Sequence, residues 1–198
     1  MFSFHPVKPI TTGEGGAAIT DSLELADKLR LFRSHGIEKK SLWNQDMLML
    51  GYNYRLSDIN CALGVSQLKK LDLMVQRREK IAQIYIEAFK NSPVFTLKEA
   101  DGIRSSRHLF ATVLDRSLWC KKEAIFVAMQ QANIGVQVHY KPIYKHSYYK
   151  ARFANQPALS NSEDFYKATL SLPCHQQMSE EEARFVVKVK LVEVFCLF

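Results

Sequence analysis

The 198-residue sequence has only four cysteines, and none of them lies in a CxxC pair or at a Cys/His ligand spacing: Cys61, Cys120, Cys174 and Cys196. Zinc sites and disulfide-stabilised domains depend on such spacings, so we expect reduced thiols and no metal site. No apolar run approaches the ~20 residues of a membrane-spanning helix. The N-terminus also lacks a basic stretch followed by an apolar one, so we expect no signal peptide, no membrane partner and a cytoplasmic location.

Positive charge is in excess, but it is spread along the sequence and not gathered in one segment. The chain carries 27 Lys and Arg against 20 Asp and Glu, a formal net charge of +7. The basic residues are dispersed in short pairs such as Lys39-Lys40 and Lys69-Lys70, which are typical of solvated helix faces. No RNA-binding signature accompanies them, so we expect no nucleic-acid partner. Small anionic, phosphorylated ligands suit this charge better.

The first ninety residues predict short strands followed by helices. Asp21 can cap the first helix, and Asn91-Ser92-Pro93 ends the last one. A lysine-bearing loop and a glycine-rich turn join the two strands. The predicted elements are strands at 2–4 and 17–20, helices at 21–33, 56–71 and 73–90, and a loop at 35–53.

After residue 91 the pattern changes to a mixture of strands and helices. We therefore predict two domains, residues 1–91 and residues 92–198, the second of the α+β type. The sequence Ser179-x-x-Glu182 is a capping box that predicts a final helix. The other elements predicted here are strands at 108–114 and 136–139, an extended stretch at 170–172, helices at 122–133 and 160–168, and a loop at 145–157.

Lys8 is the residue whose sequence context most strongly suggests a chemical function. It lies between an apolar strand and the turn Thr11-Thr12-Gly13-Glu14-Gly15-Gly16. A lysine that forms an imine must spend time deprotonated, and partial burial or nearby cations favour that state. Ser3 offers a hydroxyl donor for a phosphate, and the glycines allow backbone to approach a ligand. The residues alone leave two interpretations open: a phosphate-and-lysine site, or a surface lysine in a hairpin loop.

Five segments, in order along the chain, resemble the DegT/DnrJ/EryC1/StrS family of nucleotide-sugar aminotransferases. The segment at 3–17, SFHPVKPITTGEGGA, is similar to the family's lysine segment. The other four are LFRSHG at 31–36, GYNYRLSDINCALG at 51–64, VHYKPIY at 138–144 and LSLPC at 170–174.

This resemblance implies an α/β fold of the fold-type-I transferase class, similar to aspartate aminotransferase. The chain would supply the end of the large domain and the α+β C-terminal small domain. The implied reaction is pyridoxal 5′-phosphate-dependent transfer of an amino group from glutamate to C4 of a UDP-linked 4-keto-6-deoxy-N-acetylhexosamine. Relatives that dehydrate instead replace the lysine by histidine, so Lys8 favours transamination.

The resemblance also implies the residues that hold the cofactor. Lys8 would form the imine with pyridoxal 5′-phosphate and then move a proton, and Ser3 would donate to the cofactor phosphate. Asn53 would reach the phosphate bound in a neighbouring subunit of a homodimer. From its sequence context alone, Asn53 is equally well a turn residue.

Four further residues are implied on the substrate side. Arg55 would bind an anionic group, and His139, Tyr140 and Tyr144 would form walls of the nucleotide-sugar cleft. The alternatives are that Arg55 forms an ion pair at a helix start and that His139 is a hydrogen-bonded strand histidine.

Family members have roughly as many residues again before this lysine, so the sequence predicts an N-terminally truncated chain. The absent half would hold the Gly-Thr phosphate cradle, the aromatic side chain on the cofactor ring and the aspartate at the pyridine nitrogen. We therefore consider a second function: a non-catalytic fragment, or a subunit that pairs with a separately encoded N-terminal half.

Overall fold

The structure is a computed structural model that describes residues 1–153 and 159–195. It divides into two compact units, Met1–Leu71 and Asp72–Phe198. The division precedes the long helix that the sequence assigned to the first domain, so the structure differs from the predicted boundary at residue 91. The helix belongs with the second unit because its buried side chains enter that unit's core. Cys196 and part of the loop expected at 145–157 lie outside the described residues.

The first unit contains short strands and two helices, each helix started by a serine cap. Ser22 Oγ accepts a hydrogen bond from the Leu25 amide at 3.2 Å, so Ser22 and not Asp21 caps the first helix. Ser57 caps the second helix in the same way through Asn60 N. The elements are β1 (Phe2–Ser3), β2 (Gly16–Ala17), α1 (Leu23–Arg33), β3 (Ile37–Lys39), β4 (Gln45–Met47) and α2 (Asp58–Leu68).

The segment predicted as a loop at 35–53 contains a β-hairpin instead. Strands β3 and β4 pair antiparallel, with Glu38 opposite Asp46. Gly36 begins the hairpin with φ = 68°, and a Cβ there would lie 1.8 Å from the Met49 carbonyl oxygen, so only glycine fits. Every residue of both strands is exposed. Neither strand therefore shows the alternation of apolar and polar residues that identifies a half-buried strand.

The second unit has a three-stranded antiparallel sheet in the order β5-β6-β7, with helices around it. The stretch predicted as a strand at 136–139 forms only an isolated bridge between Gln137 and Ser171. The predicted loop at 145–157 includes a short helix. The elements are α3 (Leu71–Phe89), β5 (Val94–Thr96), β6 (Phe110–Leu114), α4 (Lys122–Gln131), α5 (Ser147–Arg152), α6 (Ser160–Ala168), β7 (Thr169–Leu172) and α7 (Glu180–Phe195).

The apolar core lies in the second unit. Tyr85 of α3 is fully buried, packs its ring 5.0 Å from that of Phe110, and donates its hydroxyl to the Pro173 carbonyl at 2.8 Å. Ile125 of α4 and Leu170 of β7 are also fully buried in this cluster. The capping box that precedes α7 is confirmed, because the Ser179 amide donates to Glu182 Oε2 and the Glu182 amide donates to Ser179 Oγ.

The first unit is built differently, since all of residues 1–71 are described and none of their hydrophobic side chains is buried. Its only buried residues are Thr12 and Gly36. Leu42 and Trp43, at the tip of the β3–β4 hairpin, are 91% and 87% exposed. The described helices of both units are all too short or too polar to cross a membrane.

Candidate active site

Lys8 lies in a closed loop between β1 and β2. The Phe4 carbonyl closes the loop by accepting two hydrogen bonds, from the Thr12 amide at 3.1 Å and from Thr11 Oγ1 at 2.9 Å. Within the loop, the Lys8 amide donates to the His5 carbonyl at 3.0 Å, which makes a tight turn under the lysine. Lys8 is half-buried, as expected for an amine that has to react with a bound ligand.

Ser3 stands at the start of the same loop, at the end of β1. Its side-chain oxygen accepts a weak hydrogen bond from the His5 amide at 3.4 Å. The hydroxyl hydrogen can therefore be donated in another direction. Ser3 pairs with Gly16 in β2, where a Cβ would lie 2.7 Å from the Phe2 carbonyl oxygen. Ser3, Lys8 and the glycine-rich turn thus belong to one β-hairpin.

Asn53 and Arg55 form a second group within the first unit. Arg55 Nε donates to Asn53 Oδ1 at 3.1 Å, and Arg55 Nη2 lies 3.3 Å from His35 Nε2. An isolated bridge between Ser34 and Asn53 fixes the backbone on which this group stands. Because the Arg55 guanidinium holds the oxygen of the Asn53 carboxamide, Nδ2 is the atom of this side chain that can donate to a ligand. The hydrogen bonds of Arg55 thus run to Asn53 and His35, and not to a carboxylate as in a helix-start ion pair.

His35 was not among the predicted site residues. It has a positive φ of 63°, directly before Gly36, and its ring nitrogen is the second partner of Arg55. The segment LFRSHG did carry the family resemblance, but its histidine had no assigned role. A non-glycine residue in the left-handed region is uncommon, although histidine is one of the residue types enriched there.

His139, Tyr140 and Tyr144 lie in the second unit. His139 Nδ1 is 2.8 Å from Ser171 Oγ in β7, which fits the alternative of a hydrogen-bonded histidine. The Tyr140 ring meets the His139 ring edge-on, with centroids 4.6 Å apart. Tyr140 and Tyr144 line one open groove of about 550 Å³ together with Leu159 and Phe165. Two of the three predicted cleft residues therefore share a cavity.

A charged pair fixes one wall of this groove. Tyr144 Oη donates to Glu163 Oε1 at 3.2 Å, and Lys145 Nζ binds Glu163 Oε2. The hydrogen bond from Lys145 lowers the pKa of Glu163. Partial burial raises the pKa of Tyr144, and the hydrogen bond to Glu163 raises it further. The tyrosine thus stays a neutral phenol, whose ring offers an apolar face to a ligand.

Comparison with known proteins identifies the family. The model of the DegT/DnrJ/EryC1/StrS aminotransferase family matches residues 1–190. The chain belongs to that family. A Campylobacter jejuni member, UDP-4-amino-4,6-dideoxy-N-acetyl-beta-L-altrosamine transaminase, is 54% identical over 187 residues, which are 94% of this chain and 50% of the relative. The chain therefore spans about half the length of the curated transaminases that it matches.

Solved members of the family confirm the fold class. The Helicobacter pylori aminotransferase PseC, described as involved in the biosynthesis of pseudaminic acid, superimposes with a TM-score of 0.93 at 40% identity. That match covers 98% of this chain and 53% of the enzyme. The PLP form of the sugar aminotransferase Spr1654 from Streptococcus pneumoniae superimposes with a TM-score of 0.86 at 29% identity, over 100% of this chain and 52% of that one.

The first unit offers donors that suit the cofactor of DegT/DnrJ/EryC1/StrS aminotransferases, pyridoxal 5′-phosphate. This group combines an aldehyde, which needs an amine, with a phosphate dianion, which needs hydrogen-bond donors. Lys8 is the amine, and the donors are the Ser3 hydroxyl, the Asn53 amide and the Arg55 guanidinium. Ser3 contacts the His5 amide, and Asn53 and Arg55 contact each other and His35, so within the described residues no carboxylate holds these three donors. The donor set therefore fits the cofactor.

Proposed function

We propose that this chain is the lysine-bearing part of a cytoplasmic, PLP-dependent nucleotide-sugar aminotransferase. It would transfer an amino group from glutamate to C4 of a UDP-linked 4-keto-6-deoxy-N-acetylhexosamine, in the synthesis of pseudaminic acid. The observation that carries the proposal is Lys8, held on a closed loop within a segment that the family model matches. The 54% identity to the Campylobacter jejuni transaminase supports the choice of sugar.

We assign the chain's own residues the roles that the family resemblance implies. Lys8 Nζ would hold the aldehyde of the cofactor and, as a free amine, would carry a proton to and from the reacting carbon. Ser3 would orient the phosphate of the cofactor on its own chain, and Asn53 would orient that of a neighbouring subunit, both through neutral donors. Arg55 would supply a positive charge for an anionic substrate group. When bound, the cofactor would supply an electron sink for the transfer of the amino group.

We propose that the groove lined by Tyr140 and Tyr144 binds part of the nucleotide sugar. Its wall combines aromatic faces with the phenol hydroxyl of Tyr144, a mixture that suits a sugar or a nucleobase. His139 orients the Tyr140 ring by edge-on contact and is itself held by Ser171. We therefore assign His139 a supporting role at the wall of this groove.

A second candidate rests on the exposed apolar surface of the first unit. Residues 1–71 bury no hydrophobic side chain, and the matched transaminases are about twice as long as this chain. We propose that polypeptide equivalent to the remaining half of the relatives covers this surface and completes the site. A homodimer would then place Asn53 at the neighbouring subunit's cofactor. On this view the chain acts as a complementing subunit and is inactive alone.

The test is an amination assay with the UDP-4-keto sugar, glutamate and pyridoxal 5′-phosphate, in which 2-oxoglutarate is measured. The chain is assayed alone and together with a polypeptide that corresponds to the uncovered half of the Campylobacter jejuni relative. Activity in either arm that falls roughly 10³-fold or more in Lys8→Ala, but not in the exposed control Lys39→Ala, supports the proposal. No product in both arms contradicts it, and product in the second arm only identifies a complementing subunit.

A further inference from the structure

The loop that carries Lys8 is attached at its far end to helix α2. Thr12, the last residue of the loop, is 2% exposed and is the only residue of 1–71 with a side chain that is buried. Its hydroxyl donates to the Glu14 carbonyl at 2.7 Å, and its amide donates to the Phe4 carbonyl. Thr12 therefore links the loop closure to the glycine-rich turn.

Asn60 holds the remaining polar group of Thr12. Its Nδ2 donates to the Thr12 carbonyl across 48 positions of sequence. Its other carboxamide atom, Oδ1, accepts the hydroxyl of Ser57, the residue that caps α2. The carboxamide is thus fixed at both ends, and its orientation follows from the hydrogen bonds, since only Nδ2 can donate to a carbonyl.

The contact surface on α2 is completed by a glycine one turn further along. Gly64 lies four residues after Asn60, on the same face of the helix. A Cβ at Gly64 would come 2.8 Å from Thr12 Cγ2. Gly15, at φ = 146°, also lies close to Thr12, since a Cβ there would come 2.7 Å from Thr12 Oγ1 and 3.0 Å from Leu56 Cδ1. Thr12 is therefore enclosed by glycines and oriented by one amide.

We infer that Asn60 is a positioning residue for Lys8. By fixing the Thr12 carbonyl, it holds the end of the closed loop against α2 and so sets where the lysine amine stands. The inference rests on the proposed function for the chemical role of Lys8, but the attachment of the loop to α2 is independent of that role. We assign Asn60 itself no contact with the reacting atoms.

The variant Asn60→Asp separates positioning from helix stability. Asn60 is the third residue of α2, where an acidic side chain favours a helix through its dipole and its capping interaction. The substitution keeps the size of the side chain but replaces the Nδ2 donor by an oxygen that repels the Thr12 carbonyl. If Asn60 only stabilised α2, Asn60→Asp would be neutral or better. If it positions the loop, the loop is released although the helix is kept.

The experiment measures two properties of the 198-residue chain. Amide hydrogen exchange at Lys8 and Thr12 reports how firmly the loop is held. The rate at which pyridoxal phosphate becomes fixed to Lys8 on borohydride reduction, followed by peptide mass spectrometry, reports how the amine is presented. The same measurements are made with Asn60→Asp, with Asn60→Ala, and with the control Asn44→Asp at the exposed hairpin tip. Circular dichroism verifies that helix content is unchanged.

We expect exchange at Thr12 to become about fivefold faster in Asn60→Asp and Asn60→Ala, the factor expected for one lost hydrogen bond. Attachment at Lys8 slows by a similar factor, while Asn44→Asp behaves as the wild type. Unchanged exchange and unchanged attachment in both Asn60 variants overturn the inference. If the wild type attaches no cofactor at Lys8 but exchange still responds to Asn60, the proposed function fails in this chain and the attachment of the loop to α2 is retained.

Discussion

At the scale of single residues, Arg78 is the charged residue that is buried in the described part of the second unit. Its side chain is buried, and it donates to the carbonyls of Arg107 at 3.1 Å and of Cys174, and to Gln176 Oε1 at 3.1 Å. These acceptors are neutral, so burial lowers the pKa of Arg78 without an opposing carboxylate. Arg78 connects α3 to the residues before β6 and after β7.

Replacing Arg78 by methionine should destabilise the second unit. The change keeps an apolar stem of similar length but leaves buried carbonyl oxygens without a donor, which costs about 2–4 kcal/mol. The exposed neighbour Arg77 gives a matched control, and Arg77→Met should change the free energy of unfolding by less than about 0.5 kcal/mol. Urea unfolding followed by circular dichroism measures both values. Equal effects of the two changes would show that Arg78 has no special role.

Cys174 should react far more slowly than Cys61 and Cys120, which are exposed. Burial raises the pKa of the Cys174 thiol to about 11, so little thiolate is present at pH 8. Iodoacetamide labelling of the native chain, read by mass spectrometry, checks this order. Because the folded pKa lies above the unfolded value of 9.0, the contribution of Cys174 to stability falls as pH rises from about 9 to 11. Cys174→Ala should remove that part of the alkaline decline.

At the scale of elements, the Lys145–Glu163 pair ties the turn after Pro142 to α6. Its lowered pKa means that Glu163 stays charged at neutral pH, and the pair is lost only as pH falls below the usual 4.5 and through the folded pKa. The change Glu163→Gln replaces the charged acceptor of the Tyr144 hydroxyl by a neutral amide oxygen, so the pKa of Tyr144 should fall. Carbon-13 NMR of the tyrosine ring follows the titration, with Asp164→Asn as the control. A Tyr144 pKa that is unaffected by Glu163→Gln would contradict this assignment.

Helices were the elements that the sequence predicted best. The helix expected at 160–168 has those bounds in the structure, and those expected at 56–71 and 73–90 occur as α2 and α3. Apolar periodicity and caps are local signals, which is why these elements could be found. The β3–β4 hairpin was missed because its strands have no buried face. Strand β5, at the edge of the sheet, is too short at three residues to show alternation.

The candidate site could be predicted only where chemistry is local in sequence. Lys8 and Ser3 belong to one segment, and the structure places both on one hairpin. Asn60 could not be found in this way, because its partner Thr12 is 48 residues away and no spacing rule joins them. The pairing of Arg55 with His35 likewise spans 20 residues. The roles assigned to all of the site residues, Lys8 and Ser3 included, stay predictions.

At the scale of the whole molecule, the two units differ in how much apolar surface they bury. The second unit has a core built on residues such as Tyr85, Ile125 and Leu170, whereas the first has no buried hydrophobic side chain. Burial of apolar surface is the main term that opposes conformational entropy. The first unit should therefore be the less stable part of this chain when it is studied by itself.

Hydrogen exchange across the chain tests this difference. Amides of β6 and α4 should exchange at least tenfold more slowly than most amides of α1 and α2, with Thr12 among the slowest of the first unit. Addition of the polypeptide that corresponds to the uncovered half of the relatives should slow exchange in residues 1–71 and leave the second unit unchanged. Uniform protection of both units in the chain alone would show that residues 1–71 need no cover.

The most direct test of the central claim is to locate the covalently bound cofactor. The chain, assembled with the complementing polypeptide, is incubated with pyridoxal 5′-phosphate, reduced with borohydride, digested and analysed by mass spectrometry. The account predicts one dominant modification, at Lys8, which disappears in Lys8→Arg without increasing elsewhere. Modification spread over exposed lysines such as Lys39 and Lys69, with no preference for Lys8, would contradict it.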